Sequence, residues 1–373
     1  MLTLEDIRTT GLRMLGTCKL DHDAATVAKL VNLPHQHALF VHRVCLQQNP
    51  RHVQRYLKSD GLIHLWDRLD AILAPTLHRS PGSTPISLSI KKGRLGILSY
   101  IASHAYAAAS EAGTTLAPIL YESLPAGTQL TTQHQRCQEI FTGNRETLLG
   151  SLNPEQAKAV VEASSKLGRV WLTTIPFQPS LRLTDFEVAA ALQLRTLAGE
   201  REAHCTNCGE TNFFGHPEVC LQRRFRRVAR HEGAKHIMGQ ALASTPGTRV
   251  RLEPLGHQTS RCNDLQVFSL LGSQATGLAN AEYDLTVVSL ASKDARATNL
   301  PNQDTDPSRL ANKYLDSVAD HKVRHRPTSN LPFHPIVLSL GGMMNGSTTK
   351  VFASWKRVMT RGTYNLMLKR LSL

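Results

Sequence analysis

The stretch CTNCGETNFFGHPEVCLQRRFRRVARHEGAKH, residues 205–236, carries the most specific pattern in this sequence of 373 residues. Its first half holds three cysteines and one histidine, spaced as CxxC, seven residues, His, three residues and Cys: Cys205, Cys208, His216 and Cys220. Three thiolates and one imidazole are the ligands that tetrahedral structural zinc prefers, with no open position for water. Gly209 and Gly215 supply turns that allow the chain to fold around one ion. The alternative is three ordinary buried thiols and a surface histidine.

The second half of the stretch is strongly basic. Six cations stand there against one acid, Glu232, and they are Arg223, Arg224, Arg226, Arg227, Arg230 and Lys235. Leu221, Phe225 and Val228 recur at helical spacing and predict the buried stripe of a helix with arginines on its outer face. Such cations neutralise phosphates, and binding of this kind falls steeply with salt. The pattern therefore predicts nucleic-acid binding, and a merely solvated charged face is the alternative.

The composition of the whole chain favours the same class of partner. Lys and Arg number 43 against 29 Asp and Glu, a formal net charge of +14. This excess attracts polyanions, although a merely basic protein remains the alternative. The seven scattered cysteines do not form a secreted disulfide framework. The first residues, MLTLEDIRTTGLRML, lack the pattern of a signal peptide, and no segment reaches the ~18 apolar residues of a membrane span. We expect a nuclear or cytoplasmic protein, neither secreted nor bound to a membrane.

The periodicity of the sequence changes after Gly247. Residues 22–78 and 183–199 have helical spacing, and the second helix is expected to begin at a cap, Thr184 or Asp185. Four later runs rich in Val, Leu and aromatic residues read as strands: RVRLEP (249–254), DLQVFSLL (264–271), YDLTVVSL (283–290) and HPIVLSL (334–340). Helical stretches near 306–322 and 350–370 flank them. The sequence predicts an α+β protein with a small sheet.

Two aspartates stand at the starts of neighbouring predicted strands, Asp264 and Asp284. Folding that joins their carboxylates would allow them to hold Mg²⁺ together with waters. Lys313 and Tyr314 follow in the helical stretch NKYLDSVADHK, from which the ammonium is expected to lie beside the metal and stabilise a phosphorane. These are the parts of a phosphodiester hydrolase. Chance placement of exposed or strand-capping residues is the alternative.

The order of these motifs resembles the C-terminal endonuclease of non-LTR retrotransposons, over residues 200–345. The resemblance implies a restriction-like PD-(D/E)xK fold in which Asp264 and Asp284 bind metal and Lys313 is catalytic, with Tyr314 beside it. Upstream, GLRMLGTCKL (11–20) resembles the end of a reverse-transcriptase palm, and ISLSIKKGRLGILSYIASHAYAAASEAG (86–113) resembles the segment after the thumb. The pattern departs from the family at Asn263 and Ser339, and the sequence has no YADD or FADD motif.

The resemblance implies four regions: a palm-end and thumb-like helical bundle over 1–130, a helical connector over 131–199, a Cys₃His zinc module with its basic helix over 200–245, and the endonuclease-like domain over 246–373. We expect a truncated retrotransposon-derived protein that binds DNA or RNA and acts as a Mg²⁺-dependent DNA endonuclease. It is not expected to be a complete reverse transcriptase. A catalytically inactive zinc-containing nucleic-acid-binding remnant is the second hypothesis, and a product without a selected role is the third. The oligomeric state stays open.

Overall fold

The computed structural model of the protein describes residues 20–30, 32–48, 63–73, 90–93, 95–97, 99–100, 133–197, 202–254, 263–270, 278–297, 306–326 and 330–373. The chain divides into two compact units. The first contains residues 1–151 and 175–198, and the second contains residues 152–174 and 199–373. Each unit is described by itself below.

The described helices, in chain order, are α1 (Leu20–Leu30), α2 (His35–Val41), α3 (Ile63–Leu73), α4 (Gln133–Ser151), α5 (Pro154–Ser164), α6 (Lys166–Thr173), α7 (Asp185–Thr196), α8 (His216–Val219), α9 (Arg224–Ala243), α10 (Lys293–Ala297), α11 (Pro307–Arg324), α12 (Gly346–Val358) and α13 (Arg361–Ser372). One π-helical turn, His42–Leu46, continues α2, and short 3₁₀ turns span Ile90–Lys92, Pro179–Leu181 and Leu221–Arg223. The strands are β1 (Arg249–Leu252), β2 (Leu265–Phe268), β3 (Ala281–Val288) and β4 (Phe333–Ser339).

The described part of the first unit is helical and packs around Trp66. This side chain is fully buried and stacks on Tyr100, with ring centroids 6.2 Å apart. The hydroxyl of Tyr100 donates to the carbonyl of Gln47. Thr184 caps α7 by accepting from the backbone N–H of Glu187, which confirms the predicted start of this helix. The two polymerase-like segments of the sequence lie largely outside the described residues.

The second unit is built on a mixed sheet with strand order β1-β2-β3-β4. Strands β1, β2 and β3 are antiparallel neighbours, whereas β4 pairs parallel with β3. A parallel pair needs a crossover connection, and α10 and α11 lie in the segment between β3 and β4. The four predicted strands and the α+β class are confirmed.

Both faces of this sheet are buried. Along β4, Ile336 and Leu338 belong to the core cluster that also contains residues of α9, α12 and α13. The side chain between them, Val337, belongs to a second cluster with residues of α5 and α11. Alternate residues of a strand point to opposite faces, so helices cover the sheet on both sides. This layering places α9 and α11 on opposite faces, and both helices supply side chains to the site described below.

Helix α6 approaches the loop after β4 so closely that Gly168 has no room for a side chain. A Cβ atom there would lie 2.2 Å from the carbonyl oxygen of Gly341 and 2.8 Å from that of Glu162. Gly168→Ala is expected to destabilise the second unit by about 1–3 kcal/mol, because two backbone segments must move apart. Gly233 lies inside α9 with nothing near its Cβ position, so Gly233→Ala should instead stabilise by about 0.5–1 kcal/mol. Urea unfolding of both variants checks this prediction, and equal midpoints would contradict it.

Candidate functional site

The four predicted zinc ligands converge in the second unit. The ligand atoms of Cys205, Cys208, His216 and Cys220 all lie within 4.8 Å of one another. Around a tetrahedral zinc ion, ligands at about 2.0–2.3 Å from the metal lie roughly 3.3–3.8 Å apart. The Sγ atom of Cys208 is 3.2 Å from Nε2 of His216, so Nε2 is the nitrogen that faces the thiols. This Cys₃His cluster is therefore able to bind a zinc ion.

A tight turn positions the first two cysteines. The backbone N–H of Gly209 donates to the carbonyl of Cys205 at 2.8 Å, and the N–H of Cys205 donates to the carbonyl of Glu210 at 2.8 Å. Gly209 closes this turn with φ +74°, a conformation that favours glycine. The backbone N–H groups of Asn207 and Cys208 point at the Cys205 thiol and lower its pKa to about 6. A thiolate is the form that binds metal, so the turn favours coordination before the ion arrives.

The second pair of ligands is fixed by contact with the sheet. Gly215 has φ +85°, and a Cβ atom on it would lie 2.4 Å from the Cβ of Ala291, in the loop after β3. The chain then enters the short helix α8, whose residue Glu218 accepts a hydrogen bond from the hydroxyl of Ser289 in the same loop. Arg296 packs over the ring of Phe213 at 4.4 Å. These contacts join the Cys₃His cluster to the end of β3.

The arginine surface, defined as Arg223, Arg224, Arg226, Arg227 and Arg230, begins three residues after the last ligand. Four of these side chains are exposed and Arg223 is half-buried. Within the described ranges, none of the five forms an ion pair or a side-chain hydrogen bond. Burial lowers the pKa of Arg230, and the charge of Glu218 partly offsets this effect. Five cations close in sequence thus keep their charge available to an outside partner.

Two predictions about this helix were wrong. Leu221, Phe225 and Val228 are not a buried stripe, since their exposed fractions are 76%, 66% and 57%. Helix α9 enters the core only in its second half, where Met238 is fully buried, so its first half lies on the surface. Lys235 does not belong to the arginine surface. Its side chain is buried and forms ion pairs with Glu232, at 2.7 Å, and with Glu253.

The two predicted carboxylates, Asp264 and Asp284, lie side by side on the sheet. Leu265 pairs with Tyr283 in the antiparallel register, and one further step sets Asp264 opposite Asp284. The two side chains are close enough for each to affect the pKa of the other. Asp264 Oδ2 also accepts from the backbone N–H of Leu285 at 2.6 Å, at the point where β2 begins. Asp264 is therefore a strand cap as well as half of a carboxylate pair.

Two cations from opposite faces of the sheet compensate this like-charge pair. His231 of α9 lies 3.2 Å from Asp264, and Lys322 of α11 lies 2.8 Å from Asp284. Burial would raise the pKa of Asp264, but the hydrogen bond and charge of His231 hold it below its usual value. Burial raises the pKa of Asp284, and Lys322 only partly offsets it. The pKa values of the two carboxyl groups are therefore displaced in opposite directions.

Lys313 and Tyr314 do not join the carboxylates, contrary to the sequence-based prediction. Tyr314 is buried and its hydroxyl lies 3.1 Å from that of Ser292, beyond the end of β3. Lys313 is exposed. It lies nine residues before Lys322 on α11, about two and a half turns, which places the two side chains on opposite sides of the helix. The sequence analysis did not identify Lys322 or His231 as site residues. Lys322 is the last residue of the stretch NKYLDSVADHK, and His231 follows Arg230 directly.

Two further donors near the carboxylates are Asn263, which precedes β2, and Gln266 within β2. Asn263 donates to Glu282 at 2.6 Å, and Gln266 donates to the other oxygen of the same carboxylate at 3.0 Å. Each carboxylate oxygen of Glu282 thus accepts one hydrogen bond.

In the described ranges, the Cys₃His cluster is the only group of three or more His, Cys, Asp or Glu whose ligand atoms converge. Mg²⁺ commonly keeps several waters and one or two carboxylates, so Asp264 and Asp284 suit it by ligand type.

The ion pair between His231 and Asp264 predicts a pH-dependent stability. Hydrogen bonding to Asp264 raises the pKa of His231 from 6.5 to about 9. Because the pKa of His231 is higher in the folded state than in the unfolded state, protonation of His231 stabilises the folded protein. This stabilisation is fully present below the unfolded-state pKa and is lost as pH rises through about 9. We expect Asp264→Asn to cost about 2 kcal/mol at pH 6.5 and much less at pH 9.5. Urea unfolding at both pH values tests this, and a constant difference from the parent would refute it.

None of the helices in the described ranges is long and apolar enough to span a bilayer. No protein-family model matches the chain, and no curated protein matches it at a significant level.

Proposed function

We propose that this protein binds nucleic acid through the arginine surface, which a zinc ion in the Cys₃His cluster holds in place. The observation that carries this proposal is the set of five arginines that begins three residues after the ligand Cys220 and that has no ion-pair partner among the described residues. Zinc bound to Cys220 would fix the 3₁₀ turn Leu221–Arg223 and hence the start of α9. The arginines stand at the amino-terminal end of helix α9, where the helix dipole adds to the positive potential.

Phosphates are the matching partner for this surface. Guanidinium groups donate two parallel hydrogen bonds to phosphate oxygens, and the net charge of +14 raises the local concentration of polyanions. Phosphate contacts carry no sequence information, so the proposal at this level includes both DNA and RNA. The order of the motifs, which resembles that of retrotransposon endonucleases, supports the same class of partner.

The salt dependence of binding tests this proposal. A variant with Gln at Arg224, Arg226 and Arg227 should bind an oligonucleotide more weakly. Its slope of log K against log salt should be smaller by about 2–3, because roughly 0.9 counterions are released per phosphate on duplex DNA. The control variant replaces three exposed cations elsewhere, Lys356, Arg357 and Arg361, by Gln and removes the same net charge. Equal slopes for the two variants would reject the arginine surface as the binding site.

A second candidate function is hydrolysis of the bound nucleic acid with Mg²⁺. The observation that favours it is the carboxylate pair Asp264 and Asp284 with an ammonium, that of Lys322, at 2.8 Å. These two carboxylates would hold the ion, and Lys322 would face the negative charge that develops on a phosphate. Bound magnesium would polarise the phosphodiester and lower the pKa of a water molecule. Without this activity, the protein is a zinc-containing nucleic-acid-binding module.

A further inference from the structure

One exposed aromatic side chain lies in the middle of the arginine surface. Phe225 is 66% exposed, and Leu221 and Val228 lie one turn before and after it on the same side of the helix. Apolar residues at this spacing normally face a core. Here they form an exposed apolar stripe on a strongly cationic helix, which costs hydration free energy unless a partner covers it.

The arginines border this stripe on both sides. Arg224 and Arg226 are each about 100° from Phe225 around the helix axis, in opposite directions. The guanidinium of Arg226 lies 5.8 Å from the centre of the Phe225 ring. A partner that covers the stripe must therefore present an apolar surface between two rows of negative charge. A second copy of this chain would oppose arginine to arginine, so charge repulsion disfavours it.

We propose that the stripe binds single-stranded nucleic acid, with Phe225 stacked on an unpaired base and the bordering arginines on the flanking phosphates. This inference rests on the proposed function and names its substrate class. A duplex hides the faces of its bases within the helix and offers the stripe only its charged backbone and groove edges. A single strand offers base faces and phosphates together, which is the combination that aromatic residues and cations recognise.

An abasic oligonucleotide separates stacking from phosphate binding. The full-length protein is titrated at one salt concentration with a fluorescein-labelled 12-mer of thymidylate, with a 12-mer of the same backbone without bases, and with a 12-base-pair duplex. We expect the thymidylate 12-mer to bind about tenfold more tightly than the abasic one, the range that one stacked base gives. Phe225→Leu should remove this preference and Phe225→Tyr should keep it. Because Phe225 is exposed, both variants should melt like the parent.

A matched control is Phe186→Leu, at an 82% exposed phenylalanine between two acidic residues, Asp185 and Glu187. This variant should bind all three probes like the parent. Failure of the parent to bind any probe would reject the proposed function itself. Equal binding of the thymidylate and abasic 12-mers, or an unchanged preference in Phe225→Leu, would overturn only the stacking inference. A parent dimer that Phe225→Leu converts to a monomer, as measured by light scattering, would also overturn it by assigning the stripe to self-association.

Discussion

Loss of the metal from the Cys₃His cluster is expected to abolish both the local fold around residues 202–223 and most of the nucleic-acid affinity. The cluster is held by short turns rather than by a large apolar core, so the ion would supply much of its stability. Loss of a structural metal is among the few changes that cost more than about 4 kcal/mol. We expect one zinc ion per chain in the parent and none in Cys208→Ser.

Elemental analysis and thermal melting check this prediction, with oligonucleotide titration as the functional readout. Cys45→Ser is the matched control, because Cys45 is a free and exposed cysteine of the first unit. It should keep one zinc ion, the parent melting temperature and the parent affinity. Treatment of the parent with a chelator should reproduce the behaviour of Cys208→Ser. A Cys208→Ser protein that retained zinc would remove the basis of the proposed binding site.

The second large effect is expected at the carboxylate pair. If the protein nicks supercoiled plasmid in the presence of Mg²⁺, Asp264→Asn and Asp284→Asn should each slow nicking at least about a hundredfold. A catalytic metal stabilises the transition state by several kcal/mol, and each 1.36 kcal/mol of activation free energy changes the rate tenfold. Asparagine keeps an oxygen that accepts from the N–H of Leu285, so Asp264→Asn should still fold.

The two lysines of α11 provide a matched pair for the same assay. Lys322→Met removes the cation beside Asp284 and should slow nicking strongly, whereas Lys313→Met removes an exposed cation on the opposite side of the helix and should leave the rate unchanged. Nicking by Asp264→Asn at the parent rate would exclude the pair as the catalytic centre. A parent without Mg²⁺-dependent nicking would leave the binding function alone.

Local patterns predicted the elements of the second unit well. Runs of Val, Leu and aromatic residues gave all four strands, and the spacing of three cysteines and a histidine gave a cluster whose atoms converge. Both signals depend on residues that are close in sequence. The strand pattern placed Asp284 at the start of its strand, whereas it lies in the middle of β3. This position sets it opposite Asp264, which precedes the antiparallel neighbour β2.

The sequence motif predicted that Lys313 lies beside the carboxylates, but a motif does not show which side of a helix a residue occupies. Ala311, Leu315 and Ala319 are buried along one side of α11, and Lys322 continues that line by a further three residues. Lys313 falls on the other side. Phase read from the buried residues would have selected Lys322, whereas the resemblance to a family selected the lysine beside a tyrosine.

Other features could not be obtained from local sequence. Periodicity identifies Leu221, Phe225 and Val228 as one side of a helix but does not tell whether another element covers that side. Helices α5 and α6 pack into the second unit through distant contacts. The ammonium of Lys158 donates a hydrogen bond to the carbonyl of Ala295 at 2.9 Å, and the backbone N–H of Gly341 donates one to the carboxylate of Glu162 at 2.6 Å. Such contacts join residues more than a hundred positions apart.

The contact between Gly215 and Ala291 bears on how this protein can be dissected or recombined. A peptide that spans only the four ligands would lose the wall against which its second turn rests, together with the hydroxyl of Ser289 and the guanidinium of Arg296. A transfer of this peptide to another protein would therefore have to include the loop that follows β3. The metal-binding segment is therefore not expected to fold when it is separated from the sheet. We expect the segment and the sheet to have evolved together.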